Sequence, residues 1–457
     1  MKRLLGLSLL LACAVSAAPL PDTVKQELAK VKIPVESVGI EVREAGKSIP
    51  LISHRAEQGM NPASTMKLLT TYASLEILKP AYRWKTEVYL DGKLEQGVLH
   101  GNLVFKGYGD PKLTIEEFWL WLRELRQRGV REITGDIVLD RWFFAVDSHD
   151  PAAFDNKPAR AYNVEPDALL LNFNALHLRL LPDGAQAIAL LEPELSGYQL
   201  INRVTTSNAL PCHGEDAYQT RIDGHNIVIE GSIPANCGEA QDYSSPLTPD
   251  AYFAAVFGAL WHEVGGQLRG HVRAGRAPGA ASVFSTHYSP PLSEVIRDIN
   301  KFSNNVMARQ LFLTLGAADL ATTAQSTAAI RLWLASAQMS FPELVLENGA
   351  GLSRTERISA QHLADILQRA SIGPFSSELE ASLPILGMDG TTRGRFKDGG
   401  IAGHFKTGSL DSVKSIAGYL HAKNGKKWIV VFIINHPNAK AGRAAQDALI
   451  EFVNKLN

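Results

Sequence analysis

An excess of charge of either sign is the first thing this sequence lacks. Its 46 lysines and arginines face 47 aspartates and glutamates, a balance that gives no support to a nucleic-acid or anionic-membrane partner. Beyond the N-terminus no apolar run is long enough to span a bilayer, so no transmembrane helix is expected. No internal repeat or low-complexity tract stands out. Cysteine is scarce, at three residues. The scattered histidines, among them His271, His287 and His404, form no metal-ligand pattern; structural roles are expected for them, and neither a metal nor a cofactor.

What is present begins with a leader. Met1-Lys2-Arg3, the apolar stretch from Leu4 to Val15 and the small residues Ser16-Ala17-Ala18 supply the basic, apolar and small-residue parts of a secretory signal peptide. Residues 1–18 are expected to be removed, which takes away Lys2 and Arg3 and leaves 44 basic against 47 acidic residues, a net charge of −3, on an exported, periplasmic chain. Lipidation through Cys13 is the disfavoured rival, because Leu11 fits a lipoprotein box poorly. Cys212 and Cys237 remain as an even pair in an oxidising compartment and read as a disulfide. Closing a loop of about 25 residues, it adds roughly 3 kcal/mol in the chain-entropy model. A metal pair with His213 or His225 is the weaker reading, since no compact ligand spacing accompanies it.

The chain is too long for a single core, and its texture changes along its length. Residues 38–43 alternate like a strand, with a turn at Ala45-Gly46-Lys47. Then comes Asn61-Pro-Ala-Ser64-Thr-Met-Lys67, which opens an apolar helical run. Pro62 suits a first helical turn, and residues three apart share a helix face, so Ser64 Oγ and Lys67 Nζ can meet. A serine hydroxyl is a weak nucleophile until a base takes its proton, and a lysine becomes that base when burial or nearby positive charge lowers its pKa. The pair Ser-x-x-Lys is common by chance and carries little weight alone.

Past Pro80, short strand patterns at 84–90, 97–105 and 135–139 surround an amphipathic helix at 115–128, a small α+β unit. From about 164 to 245 the pattern is β-like, clearest at 169–181 and 226–231. A helix at 252–264 and a strand at 269–273 rejoin the second unit. Helices follow at 291–299, 306–315 and 317–337, then adjacent antiparallel strands at 415–420 and 428–434, and a closing helix at 441–456. The divisions expected are a split sheet-and-helix domain at 19–84 and 275–457, an inserted α+β domain at 85–163 and 246–274, and an inserted β domain at 164–245.

Three motifs now stand in order: Ser64-x-x-Lys67, Ser303-x-Asn305 and Lys406-Thr407-Gly408. Singly, a Ser-Asn-Asn triplet is more often a helix cap or turn, and Lys-Thr-Gly-Ser an ordinary strand-end turn. Together they match the motif set of penicillin-recognising serine enzymes. The first two lie 239 residues apart, far more than a compact β-lactamase needs. That layout resembles the D-alanyl-D-alanine carboxypeptidase/endopeptidase family, the class C low-molecular-mass penicillin-binding proteins of peptidase family S13. Gly107-Tyr-Gly-Asp-Pro111, Glu347-Asn-Gly-Ala-Gly-Leu-Ser-Arg354 and Met388-Asp-Gly-Thr-Thr-Arg393 also look like that family's. The resemblance covers the whole mature chain. It implies an α/β (α+β) penicillin-binding, β-lactamase-like transpeptidase domain: a five-stranded antiparallel sheet with helices on both faces, interrupted by two nested inserted domains.

Acyl transfer from a D-Ala-D-Ala peptide needs a nucleophile, a base, an oxyanion hole and a cation for the terminal carboxylate. Ser64 is the expected nucleophile and Lys67 its base. Ser303 relays a proton to the leaving amine, Lys406 sets the polarity of that hydroxyl network, and Asn305 orients Lys67 and binds a substrate amide. The resemblance further implies an oxyanion hole from the backbone N–H groups of Ser64 and Ser409, with Thr407, Gly408 and Ser409 at the substrate carboxylate. It also implies Arg354 and Asp155 near the substrate side chain. Asp411 departs from the uncharged residue expected just past the third motif. The partners implied are peptidoglycan stem peptides and β-lactams, and a homodimer is compatible with the sequence. A β-lactamase of the same fold and a non-catalytic wall-binding protein compete with the peptidase; the former usually adds a carboxylate base, a role Glu347 does not obviously fill.

Overall fold

The computed structural model describes residues 18–146, 150–212, 217–317, 320–397 and 399–456. The leader at 1–17 with Cys13, and His213, lie outside the described residues. The chain divides into two compact units: one takes it as far as Thr65, with Arg357–Ser376 and everything from Pro384 onward, and the other holds Met66–Glu356 with Ser377–Leu383.

The first unit is built on a five-stranded antiparallel sheet in the order Ala402–Leu410, Val413–His421, Lys427–Asn435, Val38–Glu44, Ile52–His54. The apolar run in Lys427–Asn435 is buried from Trp428 to Ile434, as a central strand covered on both faces requires. Val38 pairs opposite Ile434 and Glu44 opposite Trp428. Alternation along this strand then sorts its side chains. Val38, Ile40 and Val42 share a core with Val24 and Leu28 of helix Asp22–Lys30 and with Leu449 and Val453 of helix Arg443–Asn454. Each such side chain, fully buried, contributes roughly 1.5–3 kcal/mol. Residues of the opposite parity meet helix Ala360–Ile372, where Arg43 donates to Glu41 and to Asp365, each at 2.6 Å. Helices therefore cover both faces of the sheet.

The second unit holds two further sheets. A seven-stranded mixed sheet includes Lys85–Glu95, Val98–Gly107 and Ile137–Asp140. It shares a core of Phe105, Phe118, Trp121, Phe253 and Phe257 with helices Ile115–Gln127 and Pro249–Glu263. Its edge strand Val283–Tyr288 pairs with Lys85–Glu95, so this sheet draws on a segment past residue 274 that sequence texture assigns to the split domain. The other sheet has six strands between Leu176 and Ser244. Cys212 and Cys237 are joined as a disulfide, with Cα atoms 5.2 Å apart.

Three expected elements are among those shorter than their patterns, and of these the strand expected over 269–273 is observed only at Val272–Ala274. The strand expected over 169–181 begins only at Leu176, because Asn172, Phe173 and Asn174 adopt φ of 45°, 58° and 51° and form a tight turn. Asn174 anchors that turn by donating to Ser245 Oγ at 2.7 Å and Leu247 O at 2.8 Å. The helix expected over 317–337 runs Thr323–Ser336, started by a capping box of Thr322 and Gln325. Among the described residues no helix is long and apolar enough to cross a membrane.

Candidate active site

Ser64 is not inside the α-helix that its spacing predicts. It sits in a 3-10 turn, Ala63–Met66, and the α-helix proper runs Lys67–Leu78. The cause is local. Pro62 O accepts from Thr65 N–H at 3.3 Å, an i to i+3 bond, and from the Thr65 hydroxyl at 2.7 Å, while Ala63 takes a φ of 46°. A turn closed that way is tighter than an α-helix.

In the first unit this turn is fixed to the central strands of the sheet. Asn61 N–H donates to Asn435 Oδ1 at 2.8 Å and Asn435 Nδ2 returns a bond to Asn61 O at 2.9 Å. The Ser415 hydroxyl donates to Pro62 O at 2.6 Å. Strand Ala402–Leu410, which carries the third motif within its length, passes beside the same turn. A Cβ at Gly408 would lie 2.3 Å from Ser415 Oγ, 2.7 Å from Pro62 O and 2.9 Å from Ser64 N. Only glycine lets the strand come so close to the Ser64 backbone.

Lys406, on that strand, is completely buried and donates to Thr407 O at 2.7 Å. Burial pushes its pKa down to about 7, because a desolvated ammonium is costly. Thr407 donates to Thr391 Oγ1 at 2.8 Å, and the exposed Ser409 accepts from Lys414 Nζ at 2.9 Å. Asp411 lies 3.3 Å from Lys440 in an exposed pair, and such pairs contribute little.

The second unit holds the other motif residues. Lys67 is completely buried, and its Nζ donates to Asn305 Oδ1 at 2.6 Å and to Ala350 O at 2.5 Å. The Ser-Asn-Asn triplet does cap a helix, through Asn304, whose Oδ1 accepts from Met307 N–H at 3.0 Å. The middle residue takes the cap, while Ser303 precedes it at a φ of 57° and Asn305 opens helix Asn305–Leu315.

Sequence reasoning missed the residue that builds the Lys67 acceptor. Glu356 is fully buried, and its Oε1 accepts from the backbone N–H groups of Glu347 at 3.0 Å, Asn348 at 2.9 Å and Gly349 at 2.8 Å. Burial raises its pKa, against the pull of those three bonds. Thr70 on the Lys67 helix donates to Gly349 O at 2.6 Å. The loop is thereby closed around a carboxylate, and its next residue, Ala350, presents the carbonyl to Lys67. A single Glu in a polar stretch gives no sequence signal of this. Glu347 itself accepts from Ser353, and from Thr355 at 2.7 Å, so its carboxylate is engaged within its own loop.

Arg354 contacts Phe154, the residue before Asp155. Arg354 donates to Phe154 O at 3.0 Å and lies 4.9 Å from the Phe154 ring centroid. Asp155 accepts from the Tyr162 hydroxyl at 2.7 Å, Asn163 Nδ2 at 2.9 Å and Lys157 N–H at 3.1 Å. Burial works against its charge, but these bonds hold its carboxyl below the usual range. Of the histidines, His404 stands edge-on to His421 with centroids 6.0 Å apart, and His287 Nε2 lies 3.8 Å from Asp110 Oδ2.

Comparison with known proteins yields one family and consistent relatives. Residues 20–456 match the model of the D-Ala-D-Ala carboxypeptidase 3 (S13) family. The D-alanyl-D-alanine carboxypeptidase DacB of Haemophilus influenzae is 26% identical over 421 residues, which cover 88% of this chain and 86% of that protein. The D-alanyl-D-alanine carboxypeptidase of an Actinomadura species is 26% identical over 436 residues, covering 90% and 80%. The crystal structure of penicillin binding protein 4 from Haemophilus influenzae superposes with a TM-score of 0.76 at 24% identity, covering 95% of this chain and 99% of that one. That protein has also been crystallised with a β-lactam, a structure with a TM-score of 0.74 at 22% identity, covering 95% and 100%. These structural likenesses carry the fold.

Proposed function

The chain belongs to the D-Ala-D-Ala carboxypeptidase 3 (S13) family, and from that membership we propose a serine DD-carboxypeptidase and DD-endopeptidase of peptidoglycan stem peptides that β-lactams acylate. The observation that carries the reading is Lys67: a fully buried amine held by Asn305 and the Ala350 carbonyl, three residues after a serine.

Ser64 Oγ attacks the carbonyl of the penultimate D-alanine while Lys67 takes its proton. The tetrahedral oxyanion is held by the N–H groups of Ser64 and Ser409; one such donor is worth about 3 kcal/mol of transition-state stabilisation. Collapse breaks the C–N bond, and the terminal D-alanine leaves as an amine that receives its proton through Ser303. Lys406 sets the polarity of that hydroxyl network. Thr407 and Ser409 bind the terminal carboxylate, and Gly408 lets the strand approach. Water then hydrolyses the Ser64 ester. Arg354 and Asp155 recognise the stem-peptide side chain. A removed leader at residues 1–18 delivers the enzyme to the periplasm, where the Cys212–Cys237 bond is stable.

The test is the incubation of purified protein with a pentapeptide ending in D-Ala-D-Ala, followed by mass spectrometry. Release of one D-alanine, blocked by prior penicillin, is expected; an untouched peptide contradicts the reading.

A further inference from the structure

We propose that the cleft beside Ser303 in the second unit is a subsite for the leaving strand of a cross-linked stem peptide, a proposal that rests on the acyl-transfer reading above. The cleft encloses about 690 Å³ and is lined by the Phe302–Met307 stretch together with Arg160, Tyr162 and Tyr243. Volumes of roughly 300–1,000 Å³ are typical of sites that bury a whole small ligand. A departing D-alanine needs no such space.

Chain chemistry places the occupant. In the reaction proposed, Ser303 hands a proton to the departing amine, so whatever is attached to that amine extends from Ser303. In a carboxypeptidase turnover that is a single alanine. In a cross-link it is the diamino-acid side chain of a second stem peptide. The bond broken is the amide between D-alanine and that side-chain amine; the acyl carbon joins Ser64 Oγ, the amine departs with its proton, and water later frees the carboxylate.

The lining fits a peptide carrying both signs of charge. Lys112 pairs with Asp298 at 2.6 Å and Arg160 with Asp242 at 2.8 Å, all four side chains between 21% and 28% exposed. Two cations and two anions at one cleft match the carboxylates and amines of a stem peptide, and suit neither a polyanion nor an acyl chain. The same lining carries exposed aromatic rings: Phe302 is 66% and Tyr243 54% exposed. Tyr162 joins the cleft to the proposed site for the stem-peptide side chain, since its hydroxyl donates to Asp155.

The experiment compares two substrates in three proteins: wild type, Tyr243→Ala and Phe302→Ala. D-alanine release from the pentapeptide and cleavage of a purified cross-linked peptide dimer are each followed by mass spectrometry as kcat/KM. Loss of an aromatic contact at a recognition site is expected to lower dimer cleavage by about tenfold, with pentapeptide hydrolysis within about twofold of wild type. Tyr243 sits on the Ala240–Ser244 strand and Phe302 at the end of helix Leu292–Lys301, so the two variants disturb different elements, and unaltered pentapeptide hydrolysis certifies the fold of each. Equal losses on both substrates, no loss on either, or a wild type that hydrolyses the pentapeptide but never the dimer would overturn the subsite. A wild type that releases no D-alanine and takes no penicillin instead overturns the acyl-transfer reading on which it rests.

Discussion

At the scale of single residues, Gly408 and Lys406 make opposite demands on one strand. A methyl group at 408 would press on Ser415 Oγ, Pro62 O and Ser64 N at once, and two of those atoms are backbone. Gly408→Ala is therefore expected to push the strand away from the Ser64 turn and lower the rate of acylation by penicillin by at least about tenfold, since small displacements of reacting groups are costly. Stopped-flow labelling measures it; an unchanged rate would remove the close approach from the mechanism. For Lys406 the sign of the pH effect follows from burial. Its folded pKa is about 7 against an ordinary 10.5, so between those values the unfolded chain binds more protons than the folded one, and stability rises with pH across that window. Below about pH 7 the fold carries the full cost of a buried charge. Lys406→Met has no such group, so its stability relative to wild type should increase as pH is lowered from about 9 to about 6. Urea melts at the two pH values measure this, and a gap that does not change with pH would mean Lys406 is not desolvated as described.

At the scale of elements, the loop after helix Thr323–Ser336 matters more than its sequence suggests. Glu356 gathers three N–H groups of residues 347–349, and Ala350 next to them holds Lys67. Glu356→Ala removes the acceptor of all three donors, which costs about 1–3 kcal/mol for the buried Gly349 N–H and less for those of the exposed Glu347 and half-buried Asn348, and frees the carbonyl that positions the base. A drop of about a hundredfold in penicillin acylation with a lowered Tm is expected, while Glu356→Gln, which keeps an acceptor oxygen, should stay within about fivefold. Similar behaviour of both variants would make Glu356 a packing residue only. This loop also shows where sequence reading stops. Strands and helices were legible because alternation and helical spacing record which side chains face a core, as at Val38, Ile40 and Val42. The Ser64 motif was legible as chemistry but not as geometry, because a 3-10 turn and an α-helix share their apolar residues and differ in one hydrogen bond at Pro62. The turn at Asn172–Asn174 was hidden by its neighbours, which are as apolar as a strand's; its two asparagines, which tolerate positive φ, are the signal that could have found it. Glu356 was invisible because its partners are backbone groups, which every residue has.

At the scale of the whole molecule, the long detour between the first and second motifs is what separated a wall peptidase from a compact β-lactamase in the sequence. The connections between strands of the six-stranded sheet within that detour carry the Cys212–Cys237 bond. Replacing both cysteines by serine is expected to lower stability by up to about 3 kcal/mol, leaving D-alanine release within about twofold. Denaturant melts and pentapeptide assays report the two effects, and a large loss of activity without loss of stability would tie the β sheet to catalysis. The central claim is that Ser64 carries an acyl group whose hydrolysis completes the reaction. Incubation with labelled penicillin, followed over time by intact mass and peptide mapping, tests it most directly: wild type should gain one long-lived adduct on Ser64 and Ser64→Ala none. Rapid turnover of the adduct, its absence from wild type, or its persistence in Ser64→Ala would contradict the account.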